Sequence, residues 1–209
     1  MTESASGTTG GRGARERILT AAAALFYEQG INATGIKQLT DAAHVSTRTL
    51  YQHFASKDDV VAAYLERWDT KRSLPNEAAL HDPDQPPLTR LLGLFADPQA
   101  GSPARGCPFH NAAVEVADGE SPVRRLVSAH KQHVLRLIVQ AATEADLTGP
   151  EQLGHQLAVL YEGATAWHTS TGDQAAFTHA RTTASTLLRL ADPVNATPTT
   201  TDGKDPGDH

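Results

Sequence analysis

The chain has 209 residues and a formal net charge of −6. That length allows one domain of ordinary size or two small ones, and the acidity argues against a protein that coats nucleic acid along its whole surface. No apolar run approaches the about 18 residues that a membrane span needs, the Gly/Ser/Thr-rich start offers no apolar signal segment, and the single Cys107 has no internal disulfide partner, so a soluble, cytoplasmic protein in a reducing compartment is expected.

Residues 1–11 carry no periodicity and are expected to be a disordered arm. From 14 to 30, Ile18, Ala22, Leu25, Phe26 and Gln29 share one helical face, and Gly30 is placed to end the helix. Thr34 is a candidate cap for a short helix from Gly35 to about Ala43, with Ile36, Leu39 and Ala43 inward. Ser46 is the candidate cap of a third helix, Thr47 to about Phe54, which buries Leu50 and Phe54. Ser56-Lys57-Asp58-Asp59 has the pattern of a capping box and opens a fourth helix, 57–72, whose Val60, Val61, Tyr64, Leu65 and Trp68 face inward.

Prolines between Ser73 and Pro87 predict a loop or a broken helix. Further helices follow at 88–95, 107–117, 122–145, 151–169 and 175–190, with a loop over 97–105, breaks at Gly149-Pro150 and Gly172, and a disordered tail from about Val194. The 122–145 helix is strongly amphipathic through Val123, Leu126, Val127, His130, Val134, Leu137, Ile138 and Ala141. Nothing alternates with period two over a useful length, so the predicted fold is all-α.

Charge is unevenly spread: residues 1–72 carry a net +1 and residues 73–209 a net −7. Within 36–57, Lys37, Arg48 and Lys57 face only Asp41, with His44 and His53 beside them. Two short helices joined by a tight turn and preceded by a third form a helix-turn-helix unit, about residues 36–55, whose second helix lies in a major groove. That helix presents Thr47, Arg48 and Thr49 first. Arg suits bidentate contact with guanine, and Thr can bond a base edge or touch a thymine methyl. Tyr51, Gln52 and His53 can reach phosphates, Lys57 lies at a helix N-terminus that favours a phosphate, and Thr34 and Lys37 complete the candidate DNA-binding set. The alternative is a polar, solvated face on a bundle that binds only protein, but that leaves unexplained a Ser-capped Thr-Arg-Thr helix followed by Tyr, His and Lys.

The run Val45-Ser46-Thr47-Arg48-Thr49-Leu50-Tyr51-Gln52-His53-Phe54-Ala55-Ser56-Lys57-Asp58 resembles the signature of the tetracycline-repressor (TetR) family, and Gly30, Thr34, Ile36, Leu39 and Ala43 match it too. The resemblance spans about residues 12–73. It implies an N-terminal three-helix DNA-binding domain, 12–56, linked by a long fourth helix to a helical ligand-binding and dimerisation domain, 57–192. It also implies a homodimeric repressor released from a palindromic operator by a small molecule, with recognition roles on Thr47, Arg48, Thr49, Tyr51 and His53 and a phosphate role on Lys57. Two positions depart from the pattern: His44 stands where the family usually has glycine, and Thr40 where it often has alanine. A left-handed His44 costs roughly 1–2 kcal/mol for most residue types but is tolerated by His, so the turn is expected to survive.

Beyond residue 73 the resemblance is less specific. Arg105-Gly106-Cys107-Pro108-Phe109-His110-Asn111-Ala112-Ala113-Val114-Glu115 is similar to a run in one branch of these regulators. A largely apolar inducer is expected between the 88–96, 107–117, 122–145 and 151–170 helices, with Trp68, Phe95, Cys107, Phe109, His110, His130, Tyr161 and Trp167 as candidate lining. A two-fold seam is expected from Leu153, Leu157, Leu160 and Ala164 on one helix and Phe177, Ala184, Leu187 and Leu188 on the next. Cys107, near a helix N-terminus and Arg105, is a rival trigger by covalent modification, against the plain reading of a packed thiol. Cys107/His110 and His130/His133 have metal-compatible spacing but no further ligands, so no metal or cofactor is expected. No phosphate loop, zinc-protease motif or nucleophile elbow suggests an enzyme.

Overall fold

A computed structural model of the protein describes residues 9–70, 74–97 and 105–193, and all its regular elements there are helical. The expected arm over 1–8, the middle of the 97–105 loop and the tail from Val194 lie outside the described residues. The first helix, α1, runs Thr9–Gln29 and so takes in the end of the expected arm. Gly30 ends it at φ 101°, a left-handed conformation open to glycine, with its N–H on the Phe26 carbonyl.

Helices α2 (Ile36–Ala43) and α3 (Thr47–His53) follow, and α4 (Lys57–Thr70) leads out of this head. Ser56 and Asp59 cap α4 reciprocally: the Asp59 N–H donates to Ser56 Oγ at 3.1 Å and the Ser56 N–H to Asp59 Oδ2 at 2.9 Å. The expected break between 73 and 87 is a broken helix, α5 (Pro75–Ala78) running into a 3₁₀ turn (Ala79–His81). The body is completed by α6 (Pro87–Gly93), α7 (Pro108–Glu115), α8 (Pro122–Glu144), α9 (Pro150–Thr171) and α10 (Ala176–Ala191). Prolines open five of these six body helices, where the missing N–H costs nothing.

Two apolar clusters hold the molecule. One joins Ile18, Phe26, Leu39, Leu50, Val60, Tyr64 and Leu65 of the head and α4 to Cys107, Phe109, Val123 and Val127 of the body. The other gathers Leu91, Leu94 and Phe95 with Val134, Ile138, Leu157, Tyr161, Phe177, Ala184 and Leu188. Helix α8 contributes to both, Val123 and Val127 to the first and Val134 and Ile138 to the second, and the buried His130 stands between them on the same stripe. At the far end α8 and α9 approach so closely that a Cβ on Gly154 would lie 2.5 Å from Val139 Cγ2.

The expected two-fold seam is corrected by this packing. Leu153, Leu157, Ala164, Phe177, Ala184 and Leu188 are buried within the chain, because α9 and α10 turn those faces onto α8 and onto each other, while Leu160 and Leu187 are only half-buried. The apolar side chains left outside are Val159 at 72% exposure, Trp167 at 60% and Leu190 at 72%.

Candidate nucleic-acid interface and regulatory cavity

The turn between α2 and α3 is fixed by local bonds. His44 adopts φ 52°, ψ 49°, and its N–H donates to the Asp41 carbonyl while the Val45 N–H donates to the Thr40 carbonyl. This is the paired bonding of a Schellman motif, with His in the left-handed position where glycine is commonest. The expectation that the turn survives without glycine therefore holds. Arg17 braces the same corner, its Nε donating to the Ala43 carbonyl at 3.1 Å.

Ser46 then caps α3: its Oγ accepts the Thr49 N–H at 3.0 Å and lies 2.8 Å from Thr49 Oγ1. Leu50, with no exposed surface, and the buried Phe54 anchor the inner face, and the Arg15 guanidinium lies over the Phe54 ring at 5.3 Å. The outer face carries Thr47, Arg48, Tyr51 and Gln52, all exposed. Thr49 and His53 are half-buried, Thr49 with its hydroxyl in the cap, and Lys57 is half-buried at the start of α4. Lys37 is exposed but paired with Asp41 at 2.7 Å.

Thr34 leaves this set. Its side chain has no exposure, and its hydroxyl donates to the Gly30 carbonyl at 2.7 Å. Nor does it cap α2, whose N-cap is Gly35 with no side-chain bond. It ties the α1–α2 loop from inside, so in this arrangement it cannot touch DNA.

A second feature was not foreseen in the sequence. The 105–115 run, expected to serve the ligand site, also docks the body onto the head. Arg105 Nη1 donates to the Glu28 carbonyl at 2.9 Å, the Tyr27 hydroxyl to the Gly106 carbonyl at 3.0 Å, and the Asn32 N–H to Glu115 Oε2 at 2.7 Å. Asn111 holds the run together through the Arg105 carbonyl at 2.8 Å. Burial pushes the Tyr27 hydroxyl up to about 12, so it stays a donor.

The candidate pocket residues divide. Trp68 and His130 line a cavity of about 340 Å³ between α4, α5 with its 3₁₀ turn, and α8, together with Asp69, Leu74, Glu77, His81, His133, Val134 and Leu137. Phe109 stacks flat on the His130 ring, centroids 3.6 Å apart. Tyr161 and Cys107 lie buried behind this wall, and Phe95 is wholly in the core. His110 is exposed, and Trp167 stands on the outer face of α9, its Nε1 donating to Asp173 Oδ2 at 3.2 Å. The last three therefore do not line the cavity, because the helices carrying them turn those side chains into the core or outward.

Cys107 is 5% exposed, and burial pushes its thiol pKa up although the Lys131 ammonium, 3.5 Å away, acts against that. It is a packed thiol rather than a preformed thiolate, which disfavours the covalent trigger. Lys131 is held by Glu162. Among the described residues no three His, Cys, Asp or Glu side chains converge as metal ligands, and no helix is long and apolar enough to cross a membrane.

Comparison with known proteins follows the same two-part division. Residues 18–64 match the profile of bacterial regulatory proteins of the tetR family, and residues 87–184 that of a tetracyclin repressor-like C-terminal domain. The HTH-type transcriptional repressor KstR2 of Mycobacterium tuberculosis is 37% identical over 81 residues, 39% of this chain and 40% of the relative, so the curated similarity spans less than half of that protein. Solved structures match over nearly the whole of their length. A TetR-type transcriptional regulator from Streptomyces avermitilis is 30% identical, covering 86% of this chain and 98% of that one with a TM-score of 0.75. A TetR-family transcriptional regulator from Streptomyces coelicolor is 29% identical over 86% and 96%, also with a TM-score of 0.75. With its head and body each matched and its helices superposing on those of a 30%-identical relative, the chain belongs to the TetR family of bacterial regulatory proteins.

Proposed function

We propose that the protein is a sequence-specific DNA-binding transcriptional regulator that acts as a homodimer on a palindromic operator and is released by a small molecule bound in its body. The observation that carries the reading is α3: anchored inward by Leu50 and capped by Ser46, it offers Thr47, Arg48, Tyr51 and Gln52 to solvent in the register of a recognition helix. Arg48 is assigned to a base edge, and Tyr51 and Lys57 to phosphates. A second copy is favoured by the apolar outer face of α9 and α10, where Val159, Leu160, Trp167 and Ala180 border a shallow depression of about 430 Å³. Two copies paired there would set the heads for half-sites about 34–36 Å apart or a multiple of that spacing.

A mobility-shift assay with the DNA upstream of the protein's own gene tests the DNA reading, and sedimentation at micromolar concentration tests the dimer. A retarded band that competes with unlabelled operator but not with scrambled duplex is the expected result. No sequence-selective shift at moderate salt would leave a helical protein-interaction module as the better description, and a clean monomer would remove the palindrome.

A further inference from the structure

The cavity between α4, α5 and α8 is unlike the apolar inducer site expected from the sequence. Its inner wall is charged. His130, 6% exposed, has Asp69 Oδ1 at 3.0 Å from its Nδ1 and Glu77 Oε2 at 3.3 Å from its Nε2. Burial disfavours the imidazolium, but the two carboxylates outweigh it and the Lys131 charge, so the His130 pKa is raised. Two carboxylates thus face a single imidazole ring, and one positive charge on that ring cannot balance both. Lys131 does not supply the missing cation, being engaged by Glu162.

Glu77 is the unusual member. It is 5% exposed and lines the cavity, yet its Oε1 lacks a well-formed hydrogen bond, with the Tyr161 hydroxyl standing beside the carboxylate. A buried carboxylate oxygen without a partner is costly, because the water it gave up on folding is not replaced. Around it the walls mix apolar and aromatic side chains, Trp68, Leu74, Val134 and Leu137, with the stacked imidazoles of His81 and His133.

We propose that this cavity takes a small organic cation, a protonated amine with an apolar flank, whose ammonium bonds Glu77 Oε1 and whose flank lies against Trp68, Val134 and Leu137. One positive charge neutralises the site and satisfies the orphaned oxygen, and an aromatic face beside an ammonium adds cation–π attraction. An anion of the same shape would meet Asp69 and Glu77. A neutral alcohol could bond the carboxylate but would leave the charge unbalanced. The inference rests on the proposed regulatory reading only for its consequence: Trp68 and Asp69 belong to α4, the helix that leads from the head, so a ligand wedged against α8 bears on that helix directly.

The test uses the full chain without DNA. The protein has two tryptophans, so Trp167→Phe leaves Trp68 as the only fluorescent indole in the cavity wall. Benzylammonium, benzyl alcohol and benzoate are titrated in parallel at pH 7. The cation is expected to change Trp68 emission saturably with a Kd at least about tenfold below those of the other two, a margin of ~1.4 kcal/mol. Glu77→Gln is expected to erase that margin, and Asp69→Asn, on a half-exposed side chain that unfolding does not threaten, to narrow it. Equal binding of the alcohol or benzoate overturns the proposal. So does a preference that survives both substitutions, or no saturable response to the cation at ~10 mM, where binding would be worth under about 3 kcal/mol. If Glu77→Gln fails to fold by circular dichroism, Asp69→Asn decides alone. Because operator binding is assayed separately, loss of the DNA reading and loss of the cation site are distinguishable.

Discussion

The head and the body of this protein differ in how fully their buried polar groups are satisfied. In the head, the buried Thr34 and Thr40 hydroxyls close on carbonyls three or four residues away, Gly30 at 2.7 Å and Lys37 at 2.9 Å. In the body, Glu77, Arg90 and His130 are buried, and Glu77 Oε1, Arg90 Nε and His130 Nε2 lack hydrogen-bond partners there. Arg90 is paired with Glu144 across α6 and α8, and His130 with Asp69 and Glu77. A head whose polar atoms are locally satisfied has one low-energy arrangement and suits rigid docking on DNA. A body with unsatisfied polar atoms in a cavity wall has something to gain from a ligand or a rearrangement.

The largest effect should come from breaking the head's packing. Leu50→Ala removes a side chain with no exposed surface from α3 and should cost about 2–5 kcal/mol in denaturant unfolding. A loss well under that would mean the head is looser than its satisfied hydrogen bonds imply. Next is the contrast between stability and function on the same helix. Arg48→Ala should weaken operator binding by roughly 1–3 kcal/mol per half-site in a quantitative shift assay and relax preference at one base pair, while leaving the melting curve nearly unchanged because Arg48 is exposed. Unaltered affinity and preference would falsify its assignment to a base.

The body predicts a pH signature that the head does not. Asp69 and Glu77 raise the His130 pKa above its ordinary value of about 6.5 in the unfolded chain. A raised folded-state pKa means that the imidazolium's stabilising contribution is fully present below about 6.5 and is lost as pH rises through the folded value. Stability measured by denaturant at a series of pH values should therefore decline across that window in the wild type and decline less in His130→Asn. Parallel profiles would show that the imidazolium does not contribute. The smallest effect sharpens the head's side of the comparison. His44→Gly should raise the unfolding free energy, by less than about 1 kcal/mol, since relief of the left-handed backbone is partly offset by the greater freedom of unfolded glycine. A clear destabilisation would mean that the exposed imidazole makes a contribution of its own.

What the sequence determined by itself is the set of features settled within about five residues. The stop at Gly30, the Ser46 and Ser56 caps, the turn at His44 and the inward Leu50 all depend on bonds or periodicity that a short window contains. That is why the exposed face of α3 is legible, and why Thr34, whose hydroxyl finds the Gly30 and Leu25 carbonyls behind it, is not the cap its position suggests. Tertiary structure alone decided the rest. Helices α9 and α10 are apolar on more than one side, so periodicity could not say that Leu157 and Ala184 would pack inward and Val159, Trp167 and Leu190 would stay out; that choice belongs to α8 and the neighbours it brings. The charged wall is likewise a product of folding. His130 meets Asp69 from 61 residues away and Glu77 across another helix, and no local pattern records such a meeting, because its energy arises only when burial removes the water that each group would otherwise hold.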